Sequence, residues 1–339
     1  LIFIYMSTVF DTPPPNFPTH EVKDILLTEF SITGIPELLF SDRDQNFLIT
    51  DSNKQKYILK ISNSAEKLDD LIIQHKATLF IKSNDEDLKV PHQINKIKSI
   101  NKDGSIYFIR LLEFIEGIFL KNINLDDSSY YKLGEFLGRL NLSLQNFDHK
   151  YKKTDFHWDV RAVNSIRSRL SSIDNQDDKN TISYFLEAYE LNVQANDLKL
   201  SKMFIHNDGN DQNILIDNKG NVIGIIDFGD MVYSYRIAEP AICMAYVGLN
   251  NIDSHQPMFN VLKGYHSKFP LKNIELRSAI YIACLRLCIS VTMSAWRTKL
   301  FPSNKYLSVS NNLAWNYLNK IKNEDLTILS NEMTNYVKS

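Results

Sequence analysis

His206, Asp208, Asn213 and Asp227 stand at a spacing that suits transfer of a phosphoryl group. They lie in residues 203–230, MFIHNDGNDQNILIDNKGNVIGIIDFGD. The order is H-x-D-x-x-x-x-N, then two short β-like runs around the turn Asp217–Gly220, then Asp227-Phe228-Gly229. Transfer from a nucleotide needs one carboxylate to accept the proton of the attacking hydroxyl. It also needs an amide oxygen and a second carboxylate to hold the metal ions that bridge the phosphates. Asp208 fits the first role, and Asn213 with Asp227 fits the second. Mg2+ takes oxygen ligands and few protein carboxylates, which this set supplies. The alternative is a polar surface loop followed by a buried strand. Each piece alone suits that alternative; the order and spacing together point to phosphoryl transfer. With a carboxylate as base, His206 is expected to hydrogen-bond the loop backbone rather than act as acid or base.

The stretch resembles the catalytic segment of the aminoglycoside phosphotransferase and choline kinase group of small-molecule kinases. Its continuation, FGDMVYSYRIAEPAICMAYV, is most similar to the hydroxylysine kinase branch. The resemblance implies an α+β, two-lobed protein-kinase-like fold. A small antiparallel N-lobe would span 20–115 after an extension at 1–19, and a larger, mainly helical C-lobe would span 116–339. ATP or GTP would be the phosphoryl donor, with Mg2+ and a nucleotide cleft. The group most often has Gly where this chain has Asn207; Asn tolerates left-handed backbone angles better than most residues.

Residues 20–30 predict a helix with Val22, Ile25, Leu26 and Phe30 on one side. Residues 38–49 predict a hairpin with the polar tip Ser41–Asn46. The tip has no Gly-rich phosphate loop, and the resemblance is what assigns it to the nucleotide. Ser41, Arg43 and Asn46 are candidate phosphate donors, against a solvated tip with internal Asp–Arg pairing. Lys60, in the strand KYILKI, needs an anionic partner, and the nucleotide phosphates supply one in kinases; the alternative is an edge-strand lysine facing water. A kinase would then place a Glu on the next helix, 65–81, to pair with Lys60. Gln74 holds the best-matching position. Three readings stay open: a neutral Gln74–Lys60 bond, Glu66 in its place, or a degraded site. Two strands are expected across 90–113. The backbone of Glu113, Phe114 and Ile115 is expected to face the base.

In the C-terminal part, helices are expected at 126–147, 155–170, 178–197, 236–249, 273–299 and 305–321. Gly134 and Gly138, four apart, predict close approach of another helix. Trp158 and Asp159 are acceptor-pocket candidates, with a core Trp and a capping Asp as the equal alternative. Asp230 is a candidate for a substrate ammonium, with a cap on the next helix as the alternative, and Arg236 is a further substrate candidate on the same run. Arg286, Trp296 and Arg297 are expected to approach the acceptor.

Composition sets outer limits. With 44% hydrophobic and 23% charged residues, the 339-residue chain reads as globular. A net charge of −2 makes no case for a nucleic-acid partner. Cys243, Cys284 and Cys288 lack metal-ligand spacing and read as buried thiols in a reducing cytoplasm. The apolar run at 1–10 is too short to span a bilayer and has no basic flank, so no membrane partner is expected; Met6 is the expected start. The expected acceptor is a small hydroxylated amine, hydroxylysine-like first and aminoglycoside-type next. The competing class is a nucleotide-binding protein that does not catalyse. Oligomeric state has no signature.

Overall fold

The computed structural model describes residues 8–123, 125–154, 156–302 and 311–339. The expectations for residues 1–5, Met6 and a helix start at 305–310 lie outside the described residues. The chain divides into two compact units. Residues up to Leu79 with Pro91–Glu116 form the first, and Phe80–Val90 with Gly117–Ser339 form the second. The segment 80–90, counted with the N-lobe on sequence, packs with the second unit.

The first unit is a helix on a sheet. Helix α1 spans Thr19–Phe30. Strands β1 (Gly34–Leu39), β2 (Gln45–Asp51) and β3 (Lys56–Ile61) precede helix α2 (Leu68–Asn84), which carries the chain into the second unit. Strands β4 (Lys98–Lys102) and β5 (Ser105–Glu113) complete an antiparallel sheet ordered β1-β2-β3-β5-β4. Alternation decides what each strand buries. Phe47 and Ile49, Leu59 and Ile61, and Ile109 and Leu111 form one core with Val22, Leu26 and Phe30 of α1. The residues between them face the other way. Asn46, Lys60 and Arg110 are direct cross-strand neighbours. A polar row therefore crosses three strands on the face away from α1.

The extension before α1 is built into this unit. Asn63, fully buried, donates from Nδ2 to the carbonyls of Thr12, Pro13 and Arg43 at 3.2–3.3 Å. Gln45 exchanges two hydrogen bonds with the backbone of Phe17. The Arg43 guanidinium lies over the Phe10 ring at 5.1 Å. These contacts tie residues 10–17 to the tip of the first hairpin.

The second unit is mainly helical. A short strand β6 (Ile118–Phe119) leads to α3 (Asp127–Ser143), whose N-cap Asp126 accepts from the Ser129 amide. Then come α4 (Val163–Arg169), α5 (Gln176–Asn192), strands β7 (Lys202–Ile205), β8 (Ile214–Ile216), β9 (Val222–Ile225) and β10 (Val232–Tyr235), and helices α6 (Ala238–Asn250), α7 (Gln256–Lys268), α8 (Asn273–Leu300), α9 (Asn311–Ile321) and α10 (Leu326–Lys338). Strands β6, β8 and β9 form one small sheet, and β7 pairs with β10 in another. Helix α8 is long and apolar enough to cross a bilayer, but 89% of its most apolar window is buried inside the protein. It packs on α4, α5, α6, α9 and α10 as the centre of the unit.

Three expectations change here. Residues 156–162 are not helical. Asp159 accepts from the Arg161 amide through its side chain, and its carbonyl takes the Ala162 amide, so a turn forms instead. The helix expected at 178–197 starts earlier, capped by Asn175, and ends at Asn192. Helices α7 and α10 were not anticipated.

The glycine pair on α3 does meet a helix, and that helix is α7. A Cβ on Gly134 would lie 1.9 Å from the Val261 carbonyl oxygen, and one on Gly138 would lie 2.8 Å from that of Tyr265. Helix propensity favours Gly134→Ala by about 1 kcal/mol, whereas driving a methyl into a backbone carbonyl costs more. We expect a net loss of about 3 kcal/mol in urea unfolding. A variant as stable as the parent would show that the two helices can part without penalty.

Candidate active site

Strand β7, with Met203, Phe204 and Ile205 buried, delivers His206 at its end. His206 is fully buried. Its Nδ1 accepts the Asp208 amide at 3.2 Å, which leaves Nε2 to carry the proton and donate to the Ile226 carbonyl at 2.9 Å. The ring also meets Phe228 edge-on at 4.6 Å. Burial lowers its pKa, so the imidazole is neutral. Its two bonds join the loop to the end of β9, as expected of a backbone-holding histidine.

The loop is also held from the side. Glu239, in the first turn of α6 and fully buried, accepts the amides of His206 (2.6 Å) and Asn207 (3.4 Å) at Oε2. Burial raises the pKa of its carboxyl group. Asn207 has φ +69°, a left-handed conformation, and its Nδ2 donates to the carbonyls of Trp158 (3.3 Å) and Asp230 (3.2 Å).

Asp208 is gripped at both oxygens. Asn213 Nδ2 donates to Oδ2 at 2.6 Å, and Arg286 Nη2 to Oδ1 at 2.8 Å. Burial raises its pKa to about 6, opposed by the Arg286 charge and reinforced by Asp230 and Asp227. Asn213 is fixed in turn. Its amide bonds Asn210 Oδ1 at 3.1 Å, and its carbonyl accepts the Ile226 amide at 2.9 Å. With Nδ2 committed to Asp208, Oδ1 is the end of the amide that can meet a cation. The Ile226 bond brings Asn213 alongside the residue that precedes Asp227. Asp227 is left-handed too, at φ +61°, and accepts the Gly229 amide at 3.2 Å.

One amide oxygen and one carboxylate make an open, hard donor pair. Among the described residues no three of His, Cys, Asp and Glu gather as a metal cage. The pair fits Mg2+, which draws most of its ligands from phosphate and water.

The other candidates divide. Asp230 is buried, and its charge acts on Asp208. Trp158 contributes its carbonyl, which takes both Asn207 and Arg286, and its ring, which lies 4.4 Å from the Arg286 guanidinium. Asp159 and Arg236 leave the acceptor assignment. The buried Asp159 carboxylate is held by the half-buried Arg161 (2.9–3.0 Å) and by the buried Ser234 Oγ (2.6 Å), a structural arrangement. Arg236 bonds Glu275 at 2.5 Å and stacks on Phe269. Of the three residues expected near the acceptor from α8, Arg286 reaches Asp208, Trp296 packs under Arg169 at 4.2 Å, and Arg297 lies over Phe301. The loop support from Glu239 was missed; a buried acid on an otherwise apolar helix was its only sign in the sequence.

In the first unit, Lys60 is buried and faces Asp44 of the hairpin tip at 3.9 Å. Asp44 also accepts the Asn63 amide at 3.0 Å. Gln74 meets a different cation: Arg110 Nη1 donates to its Oε1 at 2.8 Å. Register is the reason, because Arg110 stands directly across from Lys60 and brings a second cation to α2. Glu66 accepts the Lys67 amide at the start of this helical region. Asn46 keeps a buried Oδ1 without a hydrogen-bond partner among the described residues. Ser41 sits at the hairpin tip, partly exposed. The Glu113 amide donates to the His92 carbonyl at 2.8 Å, so that N–H is not open to a base, and Phe114 and Ile115 follow it.

The profile of the APH family, described as "Phosphotransferase enzyme family", matches residues 38–257. Hydroxylysine kinase of Mus musculus is 25% identical over 311 residues, covering 83% of this chain and 82% of that protein. Hydroxylysine kinase of Danio rerio is 23% identical over 326 residues, covering 91% and 92%. Among solved structures, an amicoumacin kinase in complex with AMP-PNP, Ca2+ and Ami superposes with a TM-score of 0.69 at 16% identity, covering 93% of this chain and 97% of that one. A microcompartment-associated aminopropanol kinase superposes with 0.69 at 12% identity, covering 94% and 98%.

Proposed function

This chain belongs to the APH phosphotransferase enzyme family, whose members here are small-molecule kinases acting on hydroxyl groups with a nucleotide co-substrate, and on that premise we propose that its acceptor is a small hydroxylated amine, hydroxylysine-like first. The observation that carries the reading is Asp208, a half-buried carboxylate oriented through both oxygens and flanked by Asp230 and Asp227. Carboxylates so grouped suit an acceptor bearing an ammonium. Likeness to the hydroxylysine kinases over most of both chains supports the first choice of acceptor.

Asp208 takes the proton of the acceptor hydroxyl. The freed oxygen attacks the γ-phosphorus of ATP or GTP, and the nucleoside diphosphate leaves with the electrons of the broken P–O bond. Asn213 and Asp227 would hold Mg2+, which neutralises charge on the phosphates when bound. Lys60 binds phosphate oxygens. Ser41, Arg43 and Asn46 act as tip donors to the same group, and the backbone after Glu113 reads the base. His206 and Glu239 keep the loop in its left-handed turn. The three buried free cysteines suit a reducing cytoplasm, where we place the protein; burial raises all three thiol pKa values.

The engagement of Gln74 by Arg110 favours a second reading, a nucleotide-binding protein without turnover. One assay separates the two. Nucleoside diphosphate release from ATP and GTP with Mg2+ is measured across hydroxylysine, other hydroxy amino acids, amino alcohols and aminoglycosides. Acceptor-dependent release is expected, strongest with hydroxylysine-like compounds. Nucleotide binding without release for any acceptor would favour the second reading. Asp227→Ala is expected to raise the Mg2+ concentration needed for nucleotide binding by roughly 10-fold or more. An unchanged Mg2+ titration would remove Asp227 from that role.

A further inference from the structure

Arg286 sits near the middle of α8, the 28-residue central helix of the second unit, with its side chain 1% exposed. A buried guanidinium is tolerated only when paired and hydrogen-bonded. Tyr246 is one partner, and the others bear directly on the reaction centre. Nη2 bonds Asp208 Oδ1 at 2.8 Å, and Nη1 bonds the Trp158 carbonyl at 3.2 Å. The planar group lies 4.4 Å from the Trp158 ring and 5.9 Å from that of Tyr246. Resting on the phosphotransferase reading, we infer that Arg286 is the positioning residue of the catalytic base.

A carboxylate held at one oxygen can swing about that bond. Asp208 is held at Oδ2 by Asn213, from its own loop, and at Oδ1 by Arg286, from a separate helix. Two donors from different elements fix both its place and its plane. The Trp158 carbonyl closes the frame, because it accepts from Arg286 and also from Asn207. Loop, turn and α8 are thus joined at one carbonyl and one carboxylate. Lysine cannot reproduce this, since a point donor does not supply a planar fork that bonds and stacks together. Proton transfer depends on holding the base in hydrogen-bond reach of the hydroxyl, and a small misplacement lowers turnover more than binding.

The test compares Arg286→Ala, Arg286→Gln and Arg286→Lys with the parent on its best acceptor. Expected is a fall in kcat of roughly 100-fold for the Ala and Gln variants and roughly 10-fold for Lys. Nucleotide KM should stay within about two-fold, as positioning of the base predicts. Guanidinium chloride at low millimolar concentration should restore part of kcat to Arg286→Ala and none to Asp208→Asn. A folded Ala or Gln variant with kcat within about three-fold of the parent would overturn the inference. So would a loss that neither Lys nor guanidinium mitigates while nucleotide KM rises in step. If Arg286→Ala does not fold, the Gln and Lys variants decide alone by the same criteria. A thermal-unfolding cycle of Arg286→Gln with Asp208→Asn needs no turnover: non-additivity is expected, and additivity would overturn the pairing. A parent without acceptor-dependent release counts against the kinase reading, and the unfolding cycle then still decides on Arg286.

Discussion

Asp208→Asn is expected to lower acceptor-dependent turnover by about 1,000-fold or more, on the order of 4 kcal/mol of transition-state stabilisation. The exchange is nearly isosteric. Asparagine keeps an oxygen that can accept from Arg286 or Asn213, so the loop retains most of its frame. What disappears is the capacity to take a proton. Arg286 does not become a lone buried charge, because Asp230 also acts on it. Nucleotide affinity should therefore change little, and calorimetric titration with ADP and Mg2+ reads it directly. Turnover within about ten-fold of the parent would remove Asp208 from the base role. Loss of nucleotide binding along with turnover would mean that the variant disturbs the loop as a whole.

Glu239→Ala is expected to have the second-largest effect. The carboxyl group accepts the amides of His206 and Asn207 at 2.6 and 3.4 Å in a fully buried setting. Alanine leaves both donors unpaired, at a cost of about 3 kcal/mol in stability. Turnover should fall by about 100-fold besides, because Asn207 and Asp208 follow directly in the chain. Glu239→Gln separates shape from charge. Burial raises the pKa of the carboxyl, and a neutral amide oxygen can accept the same two bonds. That variant should lie within about 1 kcal/mol of the parent in urea unfolding. Equal damage from Ala and Gln would show that the charge, rather than the acceptor, matters.

What could be read from sequence was what is local. His206, Asp208, Asn213 and Asp227 lie close in the chain, and most of their mutual bonds close over short spans, so order and spacing showed which residues the fold gathers. The Gly134 and Gly138 spacing announced a helix contact for the same reason, although its partner α7 did not show. Long-range partners left no trace. Asp159 resembled a ligand-binding acid until Ser234 came within 2.6 Å of it, and Arg236 resembled a substrate residue until Glu275 did so at 2.5 Å. Gln74 shows the limit most plainly. Its place on α2 suggested Lys60, but the pairing of β3 with β5 sets Arg110 beside that lysine, and strand register is a property of the folded sheet. The presence of an extension before α1 was readable in the sequence. Its attachment to the hairpin tip through Asn63 was not, because those bonds join residues about fifty positions apart.

The left-handed turn at Asn207 has a consequence for how this chain can drift. Its φ of +69° admits glycine freely and asparagine or aspartate at modest cost, and penalises most other residues. Glycine would keep the turn but lose the Nδ2 bridge to Trp158 and Asp230. In the genetic code, asparagine and glycine are separated by more than one nucleotide change. The single-step intermediates are aspartate and serine. Aspartate would aim an acceptor-only group at two carbonyls beside Asp208, and serine brings strain to the turn. Both routes lead through a poorer enzyme, so a lineage that has adopted asparagine here is held there by the valley between two workable solutions.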